Sequence, residues 1–501
     1  MKPTLLFVIY ALLAGAAVSL RAQPLTEAEA RDDIQFLKRR LDQFHPGVGF
    51  YTPKPQYERL YDSLFNHLSG PVEYLPFFRH VSPLVNSLKD GHTNLNHRRT
   101  YIDKHTLYIP FFIRNVGADY YITHNVAGDT TFRRGTQLLS IEGRQVADIH
   151  HDLMEADRSG SDGDNRTGRQ QWSLHQFADY YAAWFGSFDS LTISYRLMND
   201  PLRLIRQKRV ACVNLQQFRA TLSKRYRHER DDRPNLSLQI IDSLSNTAVL
   251  RVSSFMGPTR HDPFQVAFKR RLKRAFRQVR DNHIENLIID MQQNGGGMVV
   301  NSGRLLQYWM PNRFTIMQRE QMKRAARAEL VTRWNPFSAL QFSMQYKPEG
   351  QEGFASRAHK RRFRPVRKLA YRGNLYFLMN GASFSAATSV LAKSLDAGVG
   401  TFVGEACGGA YWGDFAGHFK TITLPHSRIQ VRIPLKKLTH AVSLNQANGF
   451  TIEPDFEVSR TYDDLLHSRD YALQQTLTLI QEGVTARKPR DSEQLAVDSR
   501  Q

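Results

Sequence analysis

The run Leu375-Tyr376-Phe377-Leu378-Met379-Asn380-Gly381-Ala382-Ser383-Phe384-Ser385-Ala386-Ala387 joins two kinds of local structure. Its first five residues are apolar without alternation, as in a strand covered on both faces. From 386 to 395 the pattern becomes helical, with Asn380-Gly381 as the punctuation between. A serine at such a strand-to-helix turn presents its hydroxyl at the positive end of a helix dipole. Ser385 is therefore a candidate nucleophile. The competing reading is a helix N-cap, which serine fills often and which Ser383 could also supply.

The same alternation extends on both sides. A strand is predicted at 248–252, then a helix with Phe264, Phe268, Leu272, Phe276 and Val279 on one face and basic residues on the other. Residues 287–291 form a second buried strand, followed by Asn294-Gly295-Gly296-Gly297 and a helix over 301–309. A further strand is expected at 401–403. Strands alternating with helices imply an α/β core with crossover connections over 236–484. Glycine lets backbone N–H groups approach a ligand closely. Gly296 and Gly297, with the N–H of Ala386, are the expected oxyanion donors. A plain tight turn is the alternative. No Lys-Ser/Thr follows the glycines, which excludes a Walker-type phosphate loop.

Upstream, Ile34, Leu37, Leu41 and Phe44 recur at helical spacing before Pro46-Gly47. Further helices are predicted at 56–68 and 72–88, the last leading into Asp90-Gly91-His92-Thr93. This makes 23–100 an N-terminal helical unit that places a histidine just past a tight turn. Histidine is the usual base for a serine nucleophile. A surface histidine is the bland alternative. Residues 101–235 change character, with short alternating runs, the turn at Gly143, a helix at 146–154 and a polar, Gly-rich loop at 159–169. Residues 201–235 are basic and weakly patterned.

The set Leu88-Lys89-Asp90-Gly91-His92-Thr93, Ile289-Asp290 through Gly297, and Phe384-Ser385-Ala386-Ala387 with Gly404-Glu405 resembles the C-terminal processing (tail-specific) protease family. It is also similar to the tricorn core protease of that superfamily. The closing segment Gly449-Phe450-Thr451-Ile452-Glu453-Pro454-Asp455 fits as well. The resemblance implies an α/β, crotonase-like (ClpP/crotonase-type) core, an N-terminal helical cap and a PDZ-like β-rich domain at 101–235. It implies a serine endopeptidase with Ser385 as nucleophile. The chain departs from the family at Thr388, where glutamate is usual, and at Ala410, where the Ser–Lys branch carries its lysine. His92 matches the base of the tricorn-like branch, with Lys436 and Lys437 as fallback bases only. Glu453 is the expected third member, with Asp455, Glu405 and Asp414 as alternatives.

The expected reaction is peptide hydrolysis through an acyl-enzyme on Ser385. It needs no cofactor or metal, and no His-Glu-x-x-His spacing is present. The partner is a peptide or protein substrate. An inactive peptide- or ligand-binding relative, and an esterase on the same core, are the alternatives.

The chain of 501 residues carries a net charge of +21. Nucleic acid is not expected, because Lys2 followed by the apolar run 5–18 reads as a signal peptide over 1–22, and no aromatic-interleaved nucleic-acid motif is present. Solvated basic faces, or attraction to an anionic envelope surface, explain the charge. Export to the bacterial periplasm or beyond follows, with no integral membrane segment after cleavage. The charged tail 485–501 is expected to be disordered. Cys212 and Cys407 either pair or remain free buried thiols.

Overall fold

The computed structural model describes residues 24–95, 106–229, 233–241, 244, 246–257, 265–331, 335, 337–350, 353–357, 362–443 and 451–484. The expected signal peptide and charged tail lie outside them. The chain forms a mixed α/β fold with several sheets.

The central sheet runs Leu236–Ile240, Thr247–Val252, Asn286–Asp290, Asn374–Met379, Thr401–Gly404, Phe456–Glu457. Its first pairing is antiparallel and the rest are parallel. The unalternating apolar runs are explained by two-sided burial. Leu287, Ile289, Leu375, Phe377 and Met379 pack into a core shared with helices Val266–Asp281, Val299–Leu306 and Ala386–Asp396. Ile288, Tyr376, Leu378 and Val403 point to the opposite face, against Tyr471, Ala472 and Leu479 of helix Tyr471–Gln481.

Helices Glu27–Phe44, Lys54–Asn66 and Tyr74–Asn86 form the N-terminal unit. The first starts with a capping box between Thr26 and Glu29. Its stripe of Ile34, Leu37, Leu41 and Phe44 does not pack only on its neighbours. It shares a core with Val431, Ile433 and Leu435 of strand Gln430–His440. That strand pairs with Gly413–Thr423, and a bulge between Ala416 and Phe419 bends the hairpin.

The middle region is an antiparallel sheet in the order Phe111–Val116, Asp119–Asn125, Gln137–Ile141, Ser190–Arg196, Ile205–Ala211. The weakly patterned stretch after 201 is thus an ordered edge strand followed by helix Leu215–Arg225, capped by Asn214. Strand Ile205–Ala211 is exposed along most of its length, so no hydrophobic alternation marked it in the sequence. Both cysteines are free: Cys407 is buried in the core cluster and Cys212 packs beside the middle-region core.

Candidate active site

Strand Asn374–Met379 delivers the chain to a turn fixed by buried hydrogen bonds. The Ser383 hydroxyl donates to the Met291 carbonyl (2.8 Å) and accepts from the Asn380 N–H (3.1 Å), while the Phe384 N–H donates to the Asn294 carbonyl (2.9 Å). Ser383 is thereby committed to holding the turn. Ser385 opens helix Ala386–Asp396 with φ 56° and ψ −118°, and its side chain makes no capping bond. A non-glycine residue held there costs roughly 1–3 kcal/mol and persists only where the surroundings enforce it.

The enforcing partner is the glycine loop. A Cβ at Gly296 would lie 2.7 Å from Ser385 Cβ and 2.9 Å from the Ala386 nitrogen. No side chain fits between the loop and the serine. Asn294, fully buried, ties the loop down: its Nδ2 donates to the Val252 carbonyl (2.6 Å) and its Oδ1 accepts from the Gly296 N–H (2.9 Å). The Gly296 N–H, expected to face an oxyanion, is not free to do so. It is spent on Asn294, so the remaining donors are Gly297 and Ala386, whose N–H groups have no acceptor among the described residues.

His92 follows helix Tyr74–Asn86 and lies in the same cleft. Its ring packs on Phe384, with centroids 4.6 Å apart, and faces Phe419 at 5.9 Å. No Ser385–His92 hydrogen bond is formed among the described residues; such bonds are often loose without substrate. The histidine nitrogen Nδ1 is buried without a hydrogen-bond partner and lies 3.8 Å from Asp90 Oδ1. Asp90 is itself anchored. Its Oδ2 accepts from His45 Nε2 (3.0 Å) and from the Thr93 hydroxyl, and its Oδ1 accepts from the His92 N–H (3.0 Å). The Gly47 N–H donates to His45 Nδ1 (2.9 Å), which leaves the proton on Nε2.

A second acid closes this cluster. Asp162 accepts from the Gly91 N–H through Oδ1 (3.0 Å), and its Oδ2 is buried and unpartnered. One ring nitrogen of His92 and one oxygen each of Asp90 and Asp162 lie within 4.8 Å of one another. These are the described residues whose groups could share a cation. Burial, then the Asp90 charge, pushes Asp162 well above the usual carboxylate range. Burial opposes ionisation of Asp90 too, but the His45 and His92 hydrogen bonds outweigh it and hold its pKa low. For His92, burial favours the neutral ring, yet the adjacent Asp90 carboxylate and the Asp414 and Asp162 charges raise its pKa overall.

Asp162 belongs to the segment expected to be a polar loop. It is instead buried at Gly160–Gly163 and links distant parts of the chain. Gly160 and Gly163 N–H groups donate to the carbonyls of Gly91 (2.9 Å) and Lys89 (2.8 Å), and the Asp162 N–H donates to that of Gly408 (3.0 Å). Helix Arg166–His175 begins directly after it.

The predicted third members fall in different places. Asp414 lines the cleft with Ser385 and His92; burial raises its pKa, partly offset by His92, His440 and the Ser385 hydroxyl. Glu453 is exposed and outside the cleft lining. Asp455 accepts from the Phe402 N–H (2.9 Å), and Glu405 bonds Gln171 and Tyr471. Lys436 pairs with Glu320 (2.6 Å) and Lys437 lies over Phe50 (3.9 Å), so neither fallback base lines the cleft.

The cleft has a volume of about 860 Å³. Ser385, His92 and Gly297 sit on its wall beside apolar Met256, Val299 and Phe419.

The model of Peptidase family S41 matches residues 246–458. Among solved structures, mature CPAF is similar over 91% of this chain and 96% of its own, with a TM-score of 0.62 and 15% identity. Mature CPAF complexed with lactacystin gives 0.63 and 16%, over 91% of this chain and 98% of that one. No curated protein matches the chain.

Proposed function

Since the chain belongs to peptidase family S41, the C-terminal processing proteases, and is a serine-type peptidase, we propose that it is an exported endopeptidase working through a Ser385–His92 pair. The observation that carries this reading is the Ser385 turn: a strained backbone, a hydroxyl not used for capping, and a glycine loop packed directly on it. In this reading His92 Nε2 takes the Ser385 proton as the hydroxyl attacks a peptide carbonyl. The Gly297 and Ala386 N–H groups receive the oxyanion. The resulting imidazolium then protonates the leaving amine, and water activated by the same ring releases the acyl group.

The acid that orients the imidazole is Asp90, supported by Asp162. Asp90 stands on the Nδ1 side of His92, where a buried nitrogen lacks a partner, and an Asp162 oxygen lies within 4.8 Å of a ring nitrogen and of Asp90. Glu453 is set aside as orienting acid, because an exposed carboxylate outside the cleft cannot fix a buried ring. The core is read as crotonase-like from its parallel sheet and crossover helices, and the antiparallel middle region as PDZ-like. Export rests on the leading apolar run with its preceding lysine.

The test is digestion of a denatured protein by wild type and by Ser385→Ala, with products identified by mass spectrometry. Internal cleavage by wild type alone is expected. Hydrolysis of simple esters without any peptide cleavage would favour the esterase reading.

A further inference from the structure

Among the described residues that line the cleft, Arg432 is the one lysine or arginine, and the chemistry above does not use it. It lies on strand Gln430–His440, opposite Asn94 on one side and Thr421 on the other. Its guanidinium carbon stacks 3.5 Å from the centroid of Phe419, and the His92 ring lies 5.9 Å from the same centroid. The guanidinium thus lies within the sum of those distances from the general base. Along an extended peptide at about 3.3–3.6 Å per residue, that is no more than roughly three residues from the scissile bond.

Among the described residues the Arg432 guanidinium has no carboxylate within ion-pair distance and no hydrogen-bond acceptor. Arginine is rarely left half-buried without an acceptor. Other charges in the cleft do not substitute for one. Asp157 accepts from the Ser159 N–H (2.7 Å) and hydroxyl (2.6 Å), and burial pushes the Asp414 carboxyl toward its neutral form. Burial lowers the pKa of Arg432, with Asp90 opposing, and a carboxylate bound against the guanidinium would offset that desolvation. The ring stack fixes the guanidinium plane and leaves N–H edges for a planar, two-oxygen acceptor.

We infer that Arg432 anchors a carboxylate of the peptide substrate, either an acidic side chain or the free C-terminus, within about three residues of the cleaved bond. This rests on the peptidase reading and adds a substrate class to it: peptides carrying a carboxylate near the cut.

Two peptide series test it. One carries Glu, Gln or Lys in turn at each of three positions on either side of a fixed cut, with an amidated C-terminus. The other varies the distance from the cut to a free or amidated C-terminus. Wild type is expected to favour Glu over Gln at one position, or free over amidated ends at one spacing. A charge-assisted pair contributes roughly 10- to 100-fold in kcat/KM. The two series tell side chain from terminus. In Arg432→Gln the ratio should fall to near one, with the change residing mainly in KM. In Arg432→Glu it should invert toward Lys. The same ratios measured as peptide affinity on Ser385→Ala read recognition without turnover, so failed catalysis and failed recognition are separable. A wild type indifferent to the carboxylate, or a preference that survives Arg432→Gln in a folded variant, would overturn the assignment.

Discussion

Substituting Gly296 by alanine probes the coupling between the glycine loop and the serine. The new methyl would sit 2.7 Å from Ser385 Cβ and 2.9 Å from both the Ala386 nitrogen and the Phe384 carbonyl oxygen. Those are backbone and Cβ atoms, which cannot rotate away. Gly296 also has φ +102°, where an L side chain is strained. Strain contributes roughly 1–3 kcal/mol and overpacking typically about 1–3 kcal/mol. A loss of about 2–6 kcal/mol is expected by urea unfolding. Relief can come only by moving Ser385 and Ala386, and an ångström of misplacement costs about 10²-fold in rate. Gly295→Ala is the internal control. Its Cβ would meet Trp172 ring carbons at 3.4 Å, an ordinary contact, without a positive φ. Labelling of Ser385 by a fluorophosphonate should therefore slow at least about 100-fold in Gly296→Ala and only a few-fold in Gly295→Ala. Equal unfolding midpoints and labelling rates for the two variants would show that the glycine loop does not hold the serine in place.

Three further outcomes are expected. The acid limb of kcat/KM should lie above pH 6.5, because the acids around His92 raise its pKa and the base works only when neutral; a limb at or below that value would contradict the proposed acid cluster. Asn294→Ala should lose about 2–4 kcal/mol in urea unfolding, since it orphans the buried Val252 carbonyl and Gly296 N–H, and should slow labelling at Ser385. Burial raises Asp290 from 3.8 to about 6. The folded state then holds its proton more tightly, so stability falls as pH rises from about 4 through 6. Asp290→Asn should remove that slope and stabilise the protein above pH 6 by at most ~3 kcal/mol, compared by unfolding at pH 5 and 7.5.

Much of the core was legible because its signals are local. The run from Leu375 to Ala387 carries a two-sided strand, a turn and a helix within thirteen residues, and Gly295 to Gly297 marks a close backbone approach. The amphipathic helix Val266–Asp281 buries Phe268, Leu272, Phe276 and Val279 as its spacing predicts, while Phe264 lies outside the described residues. What was not legible is long-range. The stretch around Asp162 has the composition of an exposed loop. Its burial comes from backbone bonds to Gly91, Lys89 and Gly408, which leave no periodic mark. The same holds for the acids about His92. Asp90 stood two residues away in the quoted motif, but only the fold shows that it is buried and bonded to His45. Arg432 carried no signal as one arginine among many on a basic chain.

The central claim is an activated serine with a histidine base, and covalent labelling with peptide mapping tests it most directly. Wild type, Ser385→Ala and His92→Ala would each be treated with a fluorophosphonate probe. A single modified peptide containing Ser385 is expected in wild type and none in either variant. Labelling of Ser385 that persists in a folded His92→Ala would contradict the assigned base. An unlabelled, folded wild type would contradict the activated serine itself.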